Sequence, residues 1–193
     1  MIKKEMLTAV LLAGGKSNRM QRDKAFLPFL GKTFIEHIIE AVRPLADRIL
    51  IVANNPKCQQ FNIEVIKDII KDSGPVGGIH TALTHTTSPY NLVLSCDIPL
   101  ISSELLTFLI QNSIQTDINI ISLNKRIQPL TAIYHKECLP VFTNALKNKE
   151  LKLKQLFKKL KTNNIPCPSH LTHTLNNINT IEAYKQLKNG NNN

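Results

Sequence analysis

The stretch LLAGGKSNRMQRDKAFLPFLGK, residues 11–32, places Gly14, Gly15, Arg19, Asp23 and Lys24 in one polar loop directly after an apolar run. Adjacent glycines let a backbone approach a ligand and turn N–H groups toward phosphate oxygens. Arg19 and Lys24 add positive charge to that loop. Bare backbone donors beside two cations suit a triphosphate whose terminal phosphates depart as pyrophosphate. The loop is neither a Walker loop nor a dinucleotide G-x-G-x-x-G turn. A tight strand-to-helix turn without a ligand is the other use of two such glycines.

Carboxylates supply the complementary chemistry. In LVLSCDIP, residues 92–99, Asp97 follows an apolar run and stops before Pro99. One or two carboxylates together with substrate phosphates commonly hold Mg²⁺, which keeps several of its waters. Asp97 is therefore the candidate metal ligand, the alternative being an Asp that caps the turn before proline. Asp68 closes IEVIKD, residues 63–68. Its oxygens can accept the paired N1–H and N2–H donors of guanine; a helix cap or a plain surface carboxylate fits as well. DSGPVGG, residues 72–78, reads as a turn-rich loop whose end opens a helix at IHTALTHT. Such a junction presents N–H groups to an anion, and a tight turn explains it too. NNINT, residues 176–180, sets amides and a hydroxyl before the last helix, with Thr180 or Asn179 as its N-cap.

The elements that must position these groups alternate. LTAVLLAG (7–14), RILIVAN (48–54), IEVIKD (63–68) and YNLVLSCDIPL (90–100) are apolar strands of the kind buried on both faces. TFIEHIIEAVRPL (33–45) and SSELLTFLIQNS (102–113) have helical periodicity, the latter with Ser102 or Ser103 as N-cap. Alternation at this spacing predicts an α/β domain with a mostly parallel sheet, whose ligands bind beyond the carboxyl ends of its strands. INIISLN and IQPLTAIYH, separated by Lys125 and Arg126, predict an antiparallel pair, or strands near an edge where Pro129 is tolerable. NALKNKELKLKQLFKKLK (144–161) reads as one amphipathic helix with Leu146, Leu153, Leu156, Phe157 and Leu160 on its apolar stripe. A last helix, IEAYKQLK, precedes the tail NGNNN, residues 189–193, which is expected to be disordered. No repeat or linker divides residues 1–193, so the chain reads as one domain.

LLAGGKSNRMQRDKAFLPFLGK, GPVGGIHTAL, SCDIPLI, QPLTAIYH and NINT, in that order, resemble the molybdenum cofactor guanylyltransferase family over about residues 6–188. The first motif is shared by nucleotidyltransferases in general; GPVGG, the C-D-x-P strand end and the late N-I-N-T narrow the likeness. The resemblance implies a Rossmann-like nucleotidyltransferase fold with helices on both faces of the sheet. It also implies a Mg²⁺-dependent reaction in which GTP and molybdenum-bearing molybdopterin give the guanine dinucleotide cofactor and pyrophosphate. Carried over, Leu12, Ala13 and Gly14 line the nucleotide through their backbone and Lys24 meets it with its ammonium; the loop chemistry adds the Gly15 amide and the Arg19 charge to the nucleotide side. Asp68 holds the guanosine end, Asp97 holds Mg²⁺ and phosphates, and Asn177 and Asn179 stand on the pterin side. Molybdoenzyme apoproteins or other cofactor-biosynthesis proteins are the implied partners. Two departures are visible: Gln21 where the family has glycine after R-M, and Gly77 where it more often has alanine. Residues 53–55, ANN, fall where the family has an asparagine near the nucleotide, in a register that the sequence leaves open.

Composition bounds the alternatives. A formal charge of +10 predicts an anionic ligand or partner. A basic nucleic-acid module would use that charge directly, yet only 5% of residues are aromatic and no stacking motif is present. CTP with the same pterin, or a nucleotide with a sugar phosphate, remains the nearest enzymatic alternative. Four scattered cysteines with no C-x-x-C pair suit a reducing cytoplasm and exclude a zinc ribbon. The histidines, among them His80, His85, His170 and His173, read as surface or core residues, and Cys96 as a small buried apolar one. No Ser-His-Asp or Cys-His arrangement is legible, and no stretch has the roughly 18 apolar residues of a membrane span.

Overall fold

Strand β1, Leu7–Leu12, is buried along its whole length, because its alternate side chains enter two different cores. Leu7, Ala9 and Leu11 join one cluster, and Val10 and Leu12 the other. The computed structural model describes residues 2–14 and 23–189. Gly15, Arg19 and Gln21 lie outside the described residues, as does the tail beyond Asn189.

A short hairpin, β2 (Pro28–Phe29) and β3 (Lys32–Thr33), leads into helix α1 (Phe34–Val42). Then come β4 (Arg48–Val52), β5 (Glu64–Ile66), α2 (Gly74–His85), β6 (Tyr90–Ser95) and α3 (Ser103–Gln111). Ser102 caps α3 by accepting from the Leu105 N–H at 3.2 Å. The second half holds β7 (Ile118–Leu123), β8 (Arg126–His135), α4 (Leu139–Lys147), α5 (Leu153–Leu156), β9 (Thr162–Pro166) and α6 (Ile181–Asn189).

The main sheet runs β5-β4-β1-β6-β8-β7-β9, and β8 alone pairs antiparallel to its neighbours. Residues of α1 and α3 fill one core; residues of α2, α4 and α5 fill the other, so helices cover both faces. From β1 the chain first builds outward through β4 and β5, then returns to place β6 on the other side of β1. The carboxyl ends of β1 and β6 therefore flank the switch point where open α/β sheets bind ligands. Among the described residues no helix is long and apolar enough to cross a membrane.

Several expectations need correction. GPVGG is not a loop before the helix: Gly74 and Pro75 begin α2 itself, since proline suits a first turn whose N–H groups are unpaired. The basic segment 144–161 is broken after Lys147, where Lys149 takes φ 57° and Glu150 N–H returns to Ala145 O at 2.8 Å. β9 was unexpected and Asn189 still belongs to α6; β7 and β8 form the expected antiparallel pair, with β8 inside the sheet and not at an edge. Pro129 is tolerated there because β6 pairing stops at Leu94 with Thr131. On the other side the β7 register shifts between Ile120 and Ser122. Gln128–Thr131 thus bulge opposite Ile121, where no ladder bond is required of proline.

Gly77 is required by packing. A Cβ there would sit 2.7 Å from Ser73 Cβ and 3.2 Å from Ile70 O. Helix propensity alone would make Gly77→Ala stabilising by about 1 kcal/mol. The overlap reverses that sign, since overpacking costs about 1–3 kcal/mol. Thermal melts of Gly77→Ala should fall by about 2–4 °C for each kcal/mol of net loss, and Ser73→Gly in the same chain should recover most of it.

Candidate active site

Backbone bonds carry the parallel ladder past the strand ends and fix the groups beyond them. Ala13 N–H donates to Val52 O at 3.0 Å, Cys96 N–H to Leu12 O at 3.3 Å and Ala53 N–H to Ile66 O at 2.9 Å. Gly14 and Asp97 consequently emerge side by side at the carboxyl edge. A cleft of ≈ 900 Å³ opens above them, lined among others by Leu12, Ala13, Gly14, Lys24, Asp68 and Asp97. A second hollow of ≈ 200 Å³ shares Ser95 and Asp97 with it and extends to Asn177 and Asn179. Leu130 in the β8 bulge lines both. Asp97 thus stands where the larger cleft meets the smaller.

Each wall has a local cause. Asp68 is partly exposed, and Asn54 Nδ2 donates to its Oδ2 at 2.9 Å. Burial raises the pKa of its carboxyl from the ordinary aspartate value, and the Asn54 bond pulls it the other way. A side chain on Gly14 would come within 3.3 Å of that same Oδ2, so glycine is what lets β1 pass this close to the carboxylate. Asp23 caps the single 3-10 turn Lys24–Phe26, accepting from Ala25 N–H at 3.2 Å through Oδ1. Its Oδ2 accepts from Asn55 Nδ2 at 2.7 Å, which ties the Lys24 turn to the connection after β4. The two asparagines of ANN therefore brace two different carboxylates.

Asp97 accepts from Ser95 Oγ through Oδ1, while its main-chain carbonyl accepts from Ile178 N–H at 2.8 Å. Lys24 Nζ donates to Asn179 Oδ1 at 2.5 Å. The cap of α6 is Thr180, whose Oγ1 accepts from Ala183 N–H at 3.1 Å, leaving Asn179 free for the lysine.

Sequence reasoning missed Ser95, Asn54 as the partner of Asp68, and the bulge. A proline inside a strand pattern was the available signal for the last. Burial pushes the Cys58 thiol up to about 11 and that of Cys96, on the cleft wall, well above its usual range. Neither thiol is an activated nucleophile. His80 is buried on α2 and His170 meets Glu104 at 3.2 Å, both away from the cleft linings. Among the described residues no cluster of three or more His, Cys, Asp or Glu could cage a metal.

Known proteins are similar to this chain over most of its length. Residues 9–164 match the MobA-like NTP transferase domain. A relative from Flavobacterium johnsoniae named "Probable molybdenum cofactor guanylyltransferase" is 39% identical, covering 95% of this chain and 97% of its own. The molybdenum cofactor guanylyltransferase of Vibrio parahaemolyticus is 34% identical, covering 92% and 93%. Among solved structures, molybdopterin-guanine dinucleotide biosynthesis protein A from Archaeoglobus fulgidus matches with TM-score 0.81 at 24% identity, covering 94% of this chain and 97% of that one. At that identity the likeness speaks for the fold. With most of the chain matched by the family and by these relatives, the protein belongs to the MobA-like NTP transferase family and is a nucleotidyltransferase.

Proposed function

We propose that the chain, acting as one unit, transfers GMP from GTP to the terminal phosphate of molybdenum-bearing molybdopterin. The products would be the guanine dinucleotide cofactor and pyrophosphate. The observation that carries this reading is the junction at Asp97. A cleft large enough for a nucleotide holds Gly14, Lys24 and Asp68, and a smaller hollow beyond Asp97 holds Asn177 and Asn179. Two substrates seated in the two hollows would bring their phosphates together at the carboxylate they share. The names of the relatives from Flavobacterium johnsoniae and Vibrio parahaemolyticus support the same choice of substrates.

A phosphate nucleophile is already anionic at neutral pH, so the protein has repulsion to neutralise and an attack to align, with no proton to remove. Lys24 supplies an ammonium to the nucleotide phosphates, and the main chain of Leu12, Ala13 and Gly14 supports the nucleoside. Gly15 and Arg19, in the loop outside the described residues, would add donors and charge. Asp68 would accept from N1–H and N2–H of guanine. The donor set fits Mg²⁺: Asp97 offers a carboxylate braced by Ser95, with no cage of protein ligands among the described residues, which leaves room for phosphates and water. Bound there, Mg²⁺ would offset negative charge on the phosphates during transfer. Asn177 and Asn179 would face the pterin substrate. The proposed setting is the cytoplasm, with molybdoenzyme apoproteins or other cofactor-biosynthesis proteins receiving the product.

Isothermal titration with GTP, CTP, ATP and UTP, with and without Mg²⁺, tests the nucleotide. GTP should bind tightest, and Asp68→Asn should weaken it about 10-fold or more, since a site built to pair with hydrogen-bond donors loses affinity when the pairing fails. GTP affinity should also decline as the pH falls through the raised pKa of Asp68, because the protonated carboxyl no longer accepts at both oxygens. That acid limb should vanish in Asp68→Asn. Tighter binding of CTP would overturn the guanine assignment.

A further inference from the structure

The segment after β9 lies beyond the region matched by the family, yet two consecutive residues of it reach the two charged positions that a phosphate transfer needs. Ile178 N–H donates to the Asp97 carbonyl at 2.8 Å, and Asn179 Oδ1 accepts from Lys24 Nζ at 2.5 Å. The segment is itself anchored. Ile178 and Leu187 are buried in a third cluster with Leu27, Phe29 and Phe34. Tyr184 donates its hydroxyl to Pro28 O at 2.6 Å and packs edge-on to Phe34, with ring centroids 5.9 Å apart. Pro28, Phe29 and Phe34 belong to the hairpin and helix that directly follow the Lys24 turn. The same anchor therefore fixes both ends of the Lys24–Asn179 contact.

We propose that residues 176–188 act as a strap that holds Lys24 in register with Asp97, and that Asn179 is a positioning residue acting on the nucleotide through Lys24. A lysine ammonium ends a flexible four-carbon stem, and much of its conformational freedom must be given up to meet a phosphate. A fixed amide oxygen takes one of its three donors and leaves two for phosphate oxygens, so part of that ordering precedes nucleotide binding. This role differs from a direct contact with the acceptor: it acts when no acceptor is present. It rests on the proposed reading of Lys24 as a phosphate-facing cation.

The test is GTP binding with Mg²⁺ and no acceptor, measured by titration calorimetry on the full chain. The variants are Asn179→Ala, Tyr184→Phe, Lys24→Ala and the Lys24→Ala/Asn179→Ala pair. Asn179→Ala should weaken GTP about three- to tenfold with an unchanged melting temperature, and the double variant should bind no more weakly than Lys24→Ala alone, the signature of coupled residues. Tyr184 lines neither hollow, so a smaller loss of GTP affinity in Tyr184→Phe would support the anchor. Unchanged GTP affinity in Asn179→Ala, with a clear loss in Lys24→Ala, would overturn the strap and leave the nucleotide reading standing. Unchanged affinity in Lys24→Ala would instead overturn the reading of Lys24.

Discussion

Asp97→Asn should remove turnover and leave the fold intact. The substitution preserves shape, and an amide oxygen can still accept from Ser95 Oγ. The bond from Ile178 uses the main-chain carbonyl and is untouched. What disappears is a negative charge at the junction of the two hollows, the point where a cation between two anionic substrates must be held. We expect pyrophosphate release from GTP, with loaded acceptor, to fall by about 10³-fold or more, corresponding to ~4 kcal/mol of transition-state stabilisation. The melting temperature should stay within about 2 °C of the parent, since substitutions that keep packing and hydrogen bonds change stability little. Raising Mg²⁺ should not restore the rate. Wild-type activity in this variant would remove the metal from Asp97 and leave the carboxylate as a turn cap before Pro99.

The fold was legible where burial on both faces wrote itself into composition. β1, β4 and β6 are apolar runs because neighbouring strands and helices leave little of them exposed. Illegible elements owe their form to partners far away in sequence. β9, TNNIP, has two asparagines and a proline, and it is a strand because it pairs with β7 on one side only, at the end of the sheet. The basic segment was misread for a related reason. Leu146, Leu153, Leu156, Phe157 and Leu160 all pack on the same core, so their spacing mimics one continuous stripe across a break at Lys149.

The candidate site divides along the same line. The positions of Asp68 and Asp97 at the cleft could be read because a carboxylate at the end of an apolar run has one place to go. That Asn54 braces Asp68 while Asn55 braces Asp23 depends on the path of the chain after β4. The meeting of Lys24 with Asn179 spans 155 residues and needs a helix docked on a hairpin. Physics read from NNINT alone favoured an N-cap; Thr180 takes that task, and Asn179 is released for another.

Lys24→Ala is expected to have the second largest effect, and its kinetic form carries more information than its size. Lys24 is partly exposed on the wall of the larger cleft, on a turn fixed by the Asp23 cap. An ammonium there should interact more strongly with the departing pyrophosphate than with ground-state GTP, because charge accumulates on the leaving group as the bond breaks. We therefore expect kcat/KM to fall by about 10²-fold, about tenfold or more of it in kcat, as for other groups that meet developing charge, and the rest in weaker binding of ground-state GTP. Lys24→Arg should recover only part of the rate. A planar guanidinium keeps the charge, but its rigid fork differs in shape from an ammonium point charge held by a single amide oxygen. Steady-state kinetics over a range of GTP concentrations separates the cases. A rise in KM with kcat preserved would mean that Lys24 holds the nucleotide equally in both states. Neutralisation of the leaving group would then fall to another cation of the opening loop, with Arg19 the candidate.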